Sequence, residues 1–174
     1  LQGGTYPSIF GVGYLRDDDG NIVVLDQPGN TYHGMPLQDP AAKKIGDVQP
    51  DFEMGFSNTF TYKGISLTAL VDWRQGGQMY SGNNRLGRLY GALSITEDRE
   101  TPVVLEGVKG YLDGDGNLVI TGENDIAILR GEQYWNDVLG EIDEAHVHET
   151  TFVRFRELSL SYSLPSSLLD NTFF

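Results

Sequence analysis

The chain has 174 residues, no cysteine, and 25 acidic against 12 basic residues, for a net charge of −13. It is long enough to bury a core, offers no disulfide framework or thiol chemistry, and would repel the phosphates of a nucleic acid. No run reaches the apolar length of a membrane-crossing helix, and Leu1-Gln2-Gly3-Gly4 lacks the basic region and apolar core of a signal peptide.

Residues 1–50 read as surface loop with short strands. Tyr6, Phe10 and Tyr14, with Gly11 and Gly13 between them, frame a strand around Ile9–Arg16. Asp17-Asp18-Asp19-Gly20-Asn21 then turns the chain into Ile22-Val23-Val24-Leu25. The phrase recurs as Asp113-Gly114-Asp115-Gly116-Asn117 between Tyr111-Leu112 and Leu118-Val119-Ile120. Such acidic turns invite a calcium reading, but an EF-hand loop needs Gly at its sixth position and a bidentate Glu at its twelfth. Here Gly stands fourth in both copies and the twelfth residue is Pro28 or Asn124. Hairpin turns are the preferred reading. Pro28, Pro36, Pro40 and Pro50 make residues 26–50 a loop.

Residues 51–74 are the most regular stretch. Phe52, Met54, Phe56, Phe60 and Tyr62 alternate with Glu53, Gly55, Ser57, Thr59 and Thr61, and Asn58 interrupts the apolar set. After Lys63-Gly64, Ile65, Leu67, Ala69, Val71 and Trp73 alternate with Ser66, Thr68, Leu70, Asp72 and Arg74. A period of two is that of a strand, and two such runs across a two-residue turn ending in Gly predict an antiparallel hairpin. The register pairs Tyr62 with Ile65, Phe60 with Leu67, Phe56 with Val71 and Met54 with Trp73. One face is apolar with aromatics near both ends, and the other is small and hydroxylic with Glu53, Asp72 and Arg74 near one end. Strands of roughly ten residues with this alternation are the pattern of a transmembrane β-barrel. A half-buried strand of a soluble sandwich alternates in the same way.

Residues 75–150 read as a long loop, interrupted by Gly76-Gly77 and Gly82-Asn83-Asn84. Glu132–Leu139 predicts about two turns of helix with Tyr134, Trp135 and Val138 on one side. A loop of this length argues against a simple sandwich and suits the outer face of a barrel whose periplasmic turn is Lys63-Gly64. Tyr80, Tyr90, Tyr134 and Trp135 are candidates to stack on a sugar or peptide substrate; alternatively Tyr134 and Trp135 pack on each other. Glu53, Asp72 and Arg74 are candidates to line the lumen, or to pair among themselves or with a plug. His146-Val147-His148 puts two imidazoles on one side of a strand, with Glu144 or Glu149 as a third ligand, and His33 stands apart. A closed zinc site needs four ligands at set spacing, so a solvated acidic loop is preferred and no metal is expected. Glu97/Asp98 and Glu141/Asp143/Glu144 read as solubilising charge. No Ser-His-Asp order or phosphate-binding glycine loop stands out, so neither catalysis nor a cofactor is expected.

Residues 151–174 hold a third strand and a turn. Leu158, Leu160, Tyr162 and Leu164 alternate with Ser159, Ser161 and Ser163, whereas Val153 and Phe155 are out of phase with them. A bulge near Arg156-Glu157 reconciles the halves. Pro165-Ser166-Ser167 is a second short turn.

Four phrases in order carry a family resemblance. Ile45-Gly46-Asp47-Val48-Gln49-Pro50-Asp51-Phe52 resembles the lead-in "IGN-x-x-PDF" of the SusC/RagA family of TonB-dependent outer-membrane transporters. Gly55-Phe56-Ser57-Asn58-Thr59-Phe60-Thr61-Tyr62 and Leu70-Val71-Asp72-Trp73-Arg74-Gln75-Gly76-Gly77 are similar to that family's "GF-x-N-x-F-x-Y" and "DWR-x-GG" segments. Phe152 to Pro165, FVRFRELSLSYSLP, is similar to its "FVRLRELSLSYTLP" strand, and Glu132-Gln133-Tyr134-Trp135 has a counterpart in the intervening loop. The resemblance implies an all-β fold: antiparallel strands of a partial transmembrane barrel with long extracellular loops, in the bacterial outer membrane. It implies uptake of oligosaccharide or peptide, with a SusD-like surface lipoprotein, TonB and outer-membrane lipid as partners. The family's plug and its last strands have no counterpart here, and the chain starts without Met, so it reads as a fragment of the C-terminal region. The competing expectations are a soluble, secreted all-β carbohydrate-binding module and, more remotely, a hydrolase.

Overall fold

The computed structural model describes residues 6–165. The turn expected at Pro165-Ser166-Ser167 and the stretch that follows it extend outside these residues. The chain divides into two compact units, one comprising residues up to Val48 with Gln78–His148, the other Gln49–Gly77 with the chain from Glu149 onward. The described residues hold twelve strands: β1 (Ser8–Gly11), β2 (Val23–Leu25), β3 (Lys43–Asp47), β4 (Pro50–Tyr62), β5 (Ile65–Gly76), β6 (Gln78–Tyr80), β7 (Val103–Val104), β8 (Val108–Leu112), β9 (Leu118–Glu123), β10 (Ala127–Ile128), β11 (Val147–Glu149) and β12 (Phe152–Tyr162). The described fold is mostly antiparallel β, and no closed barrel is formed among these residues.

The second unit is one three-stranded antiparallel sheet in the order β12-β5-β4. The hairpin register is the one that the alternation predicts, pairing Tyr62 with Ile65, Phe60 with Leu67, Phe56 with Val71 and Met54 with Trp73. Lys63 (φ 47°) and Gly64 (φ 85°) both lie in the left-handed region, as a type I′ turn requires to match the strand twist. In β12 the register shifts between Phe155, opposite Val71, and Glu157, opposite Leu70. Arg156 is therefore the extra residue of a bulge, and it restores phase: Val153, Phe155, Leu158, Leu160 and Tyr162 all fall opposite the apolar residues of β5. The resulting apolar face is open. Phe60 is 68% exposed and Leu160 72% exposed, and every residue of β12 is exposed.

The first unit replaces the two loops read from the sequence with many short elements. β1 pairs with β3, which lies within the proline-rich stretch read as loop, and β7 pairs with β10. β2 runs parallel to β8, a departure from the all-antiparallel expectation, and β8 pairs antiparallel with β9. Gly82-Asn83-Asn84, read as a break, instead opens helix α1 (Gly82–Leu89), because Ser81 caps it by accepting from the Asn84 N–H at 3.3 Å. The short helix expected at Glu132–Leu139 is present as a π-helical turn, Gln133–Val138. Its Tyr134, Trp135 and Val138 join Met35, Ile128, Leu139 and Ile142 in the core.

Candidate functional site

Two clusters, one in each unit, have chemistry suited to a ligand. The first lies on the hydroxylic face of the sheet. Successive cross-strand pairs there are Thr59 with Thr68, their hydroxyls 2.9 Å apart, and Thr61 with Ser66, 2.8 Å apart. Toward the opposite end the face becomes charged. Glu53 sits directly across from Arg74, and Arg74 Nη1 donates to Glu53 Oε1 at 2.6 Å. Asp72 lies between Gly55 and Arg154 in the ladder and accepts from Arg156 Nη1 at 2.5 Å. The bulge thus supplies Asp72 with its cation. Arg154 has no such partner among the described residues; its guanidinium lies 4.7 Å over the Phe152 ring. Glu53, Asp72, Arg74, Arg154 and Arg156 border one recess of about 320 Å³. All three residues expected to line a lumen are therefore brought together, and two of them are paired to arginines. Arg154 and Arg156 lay in plain view as basic residues of a strand, but their placement follows only once the bulge sets the phase.

The second cluster is a recess of about 380 Å³ in the first unit, bordered by Arg88, Tyr90, Arg99, Glu132, Trp135 and Asn136. It separates the four candidate aromatics. Tyr90 is 76% exposed at its edge. Trp135 is only 5% exposed and its buried Nε1 has no hydrogen-bond partner. Tyr134 is 8% exposed and packs edge-to-face on Trp135 with ring centroids 4.9 Å apart, the packing alternative raised above. Tyr80 lies elsewhere, edge-on to His146 at 6.2 Å. Burial raises the Tyr134 phenol pKa and pushes that of Tyr14 up to about 12, with the neighbouring Tyr134 and Glu144 adding to the shift of Tyr14. Tyr134 lies in the core and Tyr14 packs half-buried against it.

The remaining candidates resolve into structure. In each acidic turn one aspartate organises the backbone: Asp17 Oδ1 accepts from the Asp19 and Asn21 N–H groups, and Asp113 Oδ1 from those of Asp115 and Asn117. The Asn21 side chain, donating from Nδ2 to Asp17 Oδ2 at 3.0 Å, leads in holding the Asp17 carboxyl below the usual range, and the Asn117 backbone N–H leads for Asp113. His146 is fully buried, with its Nε2 2.8 Å from the Leu139 carbonyl. A carbonyl only accepts, so Nε2 carries the proton. Among the described residues no group of three or more His, Asp or Glu side chains is arranged to hold a metal.

No protein-family model matches the chain. Over 172 residues, 98% of its length, it is 27% identical to the TonB-dependent receptor P3 of Formosa agariphila, and it spans 15% of that protein. The chain is thus similar to a region of a TonB-dependent receptor. The similarity covers both units.

Proposed function

We propose that the chain supplies wall strands and surface segments of a SusC/RagA-type TonB-dependent transporter that imports oligosaccharide or peptide. In this reading a SusD-like lipoprotein lids the barrel, and TonB acts through a part of the receptor other than these residues. The observation that carries the reading is the β12-β5-β4 sheet. One face presents Phe56, Phe60, Leu67, Phe155, Leu158 and Leu160 uncovered, and the other presents hydroxyls and paired charges. Water on the first face would make it an association hazard, whereas lipid on that face and a polar lumen behind it satisfy both. Glu53, Asp72 and Arg74 then border the passage, residues 75–150 belong to the extracellular side, and Tyr90 is the candidate aromatic most open to a substrate.

Single cysteines at Leu67, Leu160, Thr68 and Ser159 in the full-length receptor test this. In proteoliposomes, fluorophores at positions 67 and 160 are expected to be quenched by lipids brominated on their acyl chains. Positions 68 and 159 are expected to react with a membrane-impermeant thiol reagent and to escape that quenching. Equal aqueous labelling at all four positions would mean that the apolar face meets no lipid and would overturn the transporter reading.

A further inference from the structure

Arg88 and Arg99 stand out against the charge of the chain. With 25 acidic and 12 basic residues, most cations have a carboxylate to hand. Arg16, Arg74, Arg85, Arg130 and Arg156 each lie within 4 Å of one. Among the described residues Arg88 and Arg99, like Arg154, have none, and unlike Arg154 both border the recess that Tyr90 edges. They are nevertheless held in place. Arg88 Nη1 donates to the Ala145 carbonyl at 2.9 Å, and Arg99 Nε donates to the Thr96 carbonyl at 2.9 Å. Thr96 is itself fully buried and bonded to the Leu93 carbonyl at 2.6 Å. Gly91 (φ 65°) lets the Arg99 guanidinium lie against the backbone, since a Cβ there would collide with Nη2. Carbonyl partners fix a guanidinium without neutralising it, which leaves a preorganised positive site. Glu132 and Asn136 on the same border offer acceptors and donors for neutral hydroxyls.

We infer that this recess binds the oxyanion of an acidic sugar, a carboxylate or sulfate ester, with Arg88 and Arg99 taking the anion, Tyr90 covering the ring and Glu132 and Asn136 meeting its hydroxyls. The inference deepens the transporter reading by naming a ligand class for the surface unit and rests on that unit facing the medium. A bidentate guanidinium–oxyanion contact is among the stronger hydrogen-bonded pairs, and a size of some 380 Å³ suits one sugar ring within a longer chain.

The test is calorimetric binding to the full-length receptor in detergent. The probes are a glucuronate-containing disaccharide, its methyl ester, a sulfated disaccharide and an acidic dipeptide. The wild type is expected to bind at least one acidic sugar roughly tenfold or more tightly than a neutral counterpart. Arg99→Gln should abolish that preference while leaving the neutral sugar unchanged, and Arg99→Lys should restore part of it. Tyr90→Ala, at an exposed position, should weaken acidic and neutral sugars alike and leaves folding out of question. Preference for the uronate identifies a carboxylate, and preference for the sulfated sugar identifies a sulfate ester; either supports the site. Equal binding of acid and ester with no sulfate preference, an unaltered Arg99→Gln profile, or binding of the dipeptide alone would overturn it. Because binding in detergent needs neither lipid nor transport, failure here leaves the lipid-labelling result standing, and failure there leaves this one standing.

Discussion

At the scale of single residues, the turn and the buried histidine carry the sharpest consequences. Lys63 adopts a left-handed conformation that a side chain disfavours, and Gly64 sits where an added Cβ would lie 3.0 Å from the Ser163 carbonyl of the neighbouring strand. Lys63→Asn should therefore stabilise the sheet by a few tenths of a kcal/mol to about 1 kcal/mol, and Gly64→Val should destabilise it by roughly 1–3 kcal/mol. Urea titration of the folded receptor, followed by heat-modifiable migration, reads both; a neutral Gly64→Val would contradict the turn geometry. His146 acts through charge. Burial lowers its pKa below 6.5, and Arg88 and Arg85 lower it further against the opposing effects of the Leu139 hydrogen bond and Asp143. Its Nδ1 is buried without a partner, so a proton there would meet no acceptor. A lowered folded pKa means that the unfolded chain binds the proton first, so stability is full above pH 6.5 and falls as the pH drops through the folded value. The aspartates of the two acidic turns also lose their contribution on acidification, but only below about pH 3.8, the value from which they are lowered. Protease susceptibility of the first unit should thus rise between pH 7.5 and 5.5. His146→Gln, which keeps a donor for Leu139 but does not titrate, should flatten that rise; an unchanged slope would remove His146 as its source.

At the scale of elements, the bulge in β12 reconciles an irregular sequence with a regular face. Without an extra residue, Val153-Phe155 and Leu158-Leu160-Tyr162 would point to opposite sides of the sheet, because a one-residue slip reverses every side chain beyond it. Deleting Arg156 removes the extra residue and leaves both halves in phase, at the loss of its pair with Asp72. Deleting Ser159 instead turns Leu160 and Tyr162 toward the hydroxylic face. The first deletion should assemble in the outer membrane at near-normal level, and the second should be degraded before assembly; immunoblots of membrane fractions separate the two, and equal assembly would argue against lipid on the apolar face. The same regularity explains what was legible beforehand. β4 and β5 have long period-two runs and a local turn, so Phe56 opposite Val71 could be read from residues alone. The first unit resisted because its strands are two to six residues long and pair at a distance, as Val23 does with Val108. In α1 two glycines and two asparagines hide a helix that depends on the Ser81 cap. Of the candidate sites, the pairing of Glu53 with Arg74 followed from register, whereas Arg88 and Arg99, eleven positions apart, have no common pattern until α1 and the segment after it are folded.

At the scale of the whole molecule, the two units have different sources of stability. The first holds a water-excluding core in which Ile142 is fully buried beside Trp135, Val138 and Leu139. The second has no buried side chain in β12, so in the proposed transporter its apolar face draws its stability from lipid and from neighbouring strands of a larger wall. One substitution in each should therefore fail in a different way. Ile142→Ala leaves a cavity in the first core and should cost about 2–5 kcal/mol there, opening residues 78–148 to protease while the receptor still inserts and shows heat-modifiable migration. Leu160→Arg places a charge on the proposed lipid face and should cost about 2–4 kcal/mol near the bilayer midplane, which reduces insertion without creating a new cleavage site in a surviving population. Limited proteolysis and membrane fractionation of both variants give the crosswise comparison. A Leu160→Arg receptor that inserts normally would mean that this face does not meet hydrocarbon. An Ile142→Ala receptor that fails to insert would mean that the first core is needed to build the wall, and the two sources of stability would have to be treated as one.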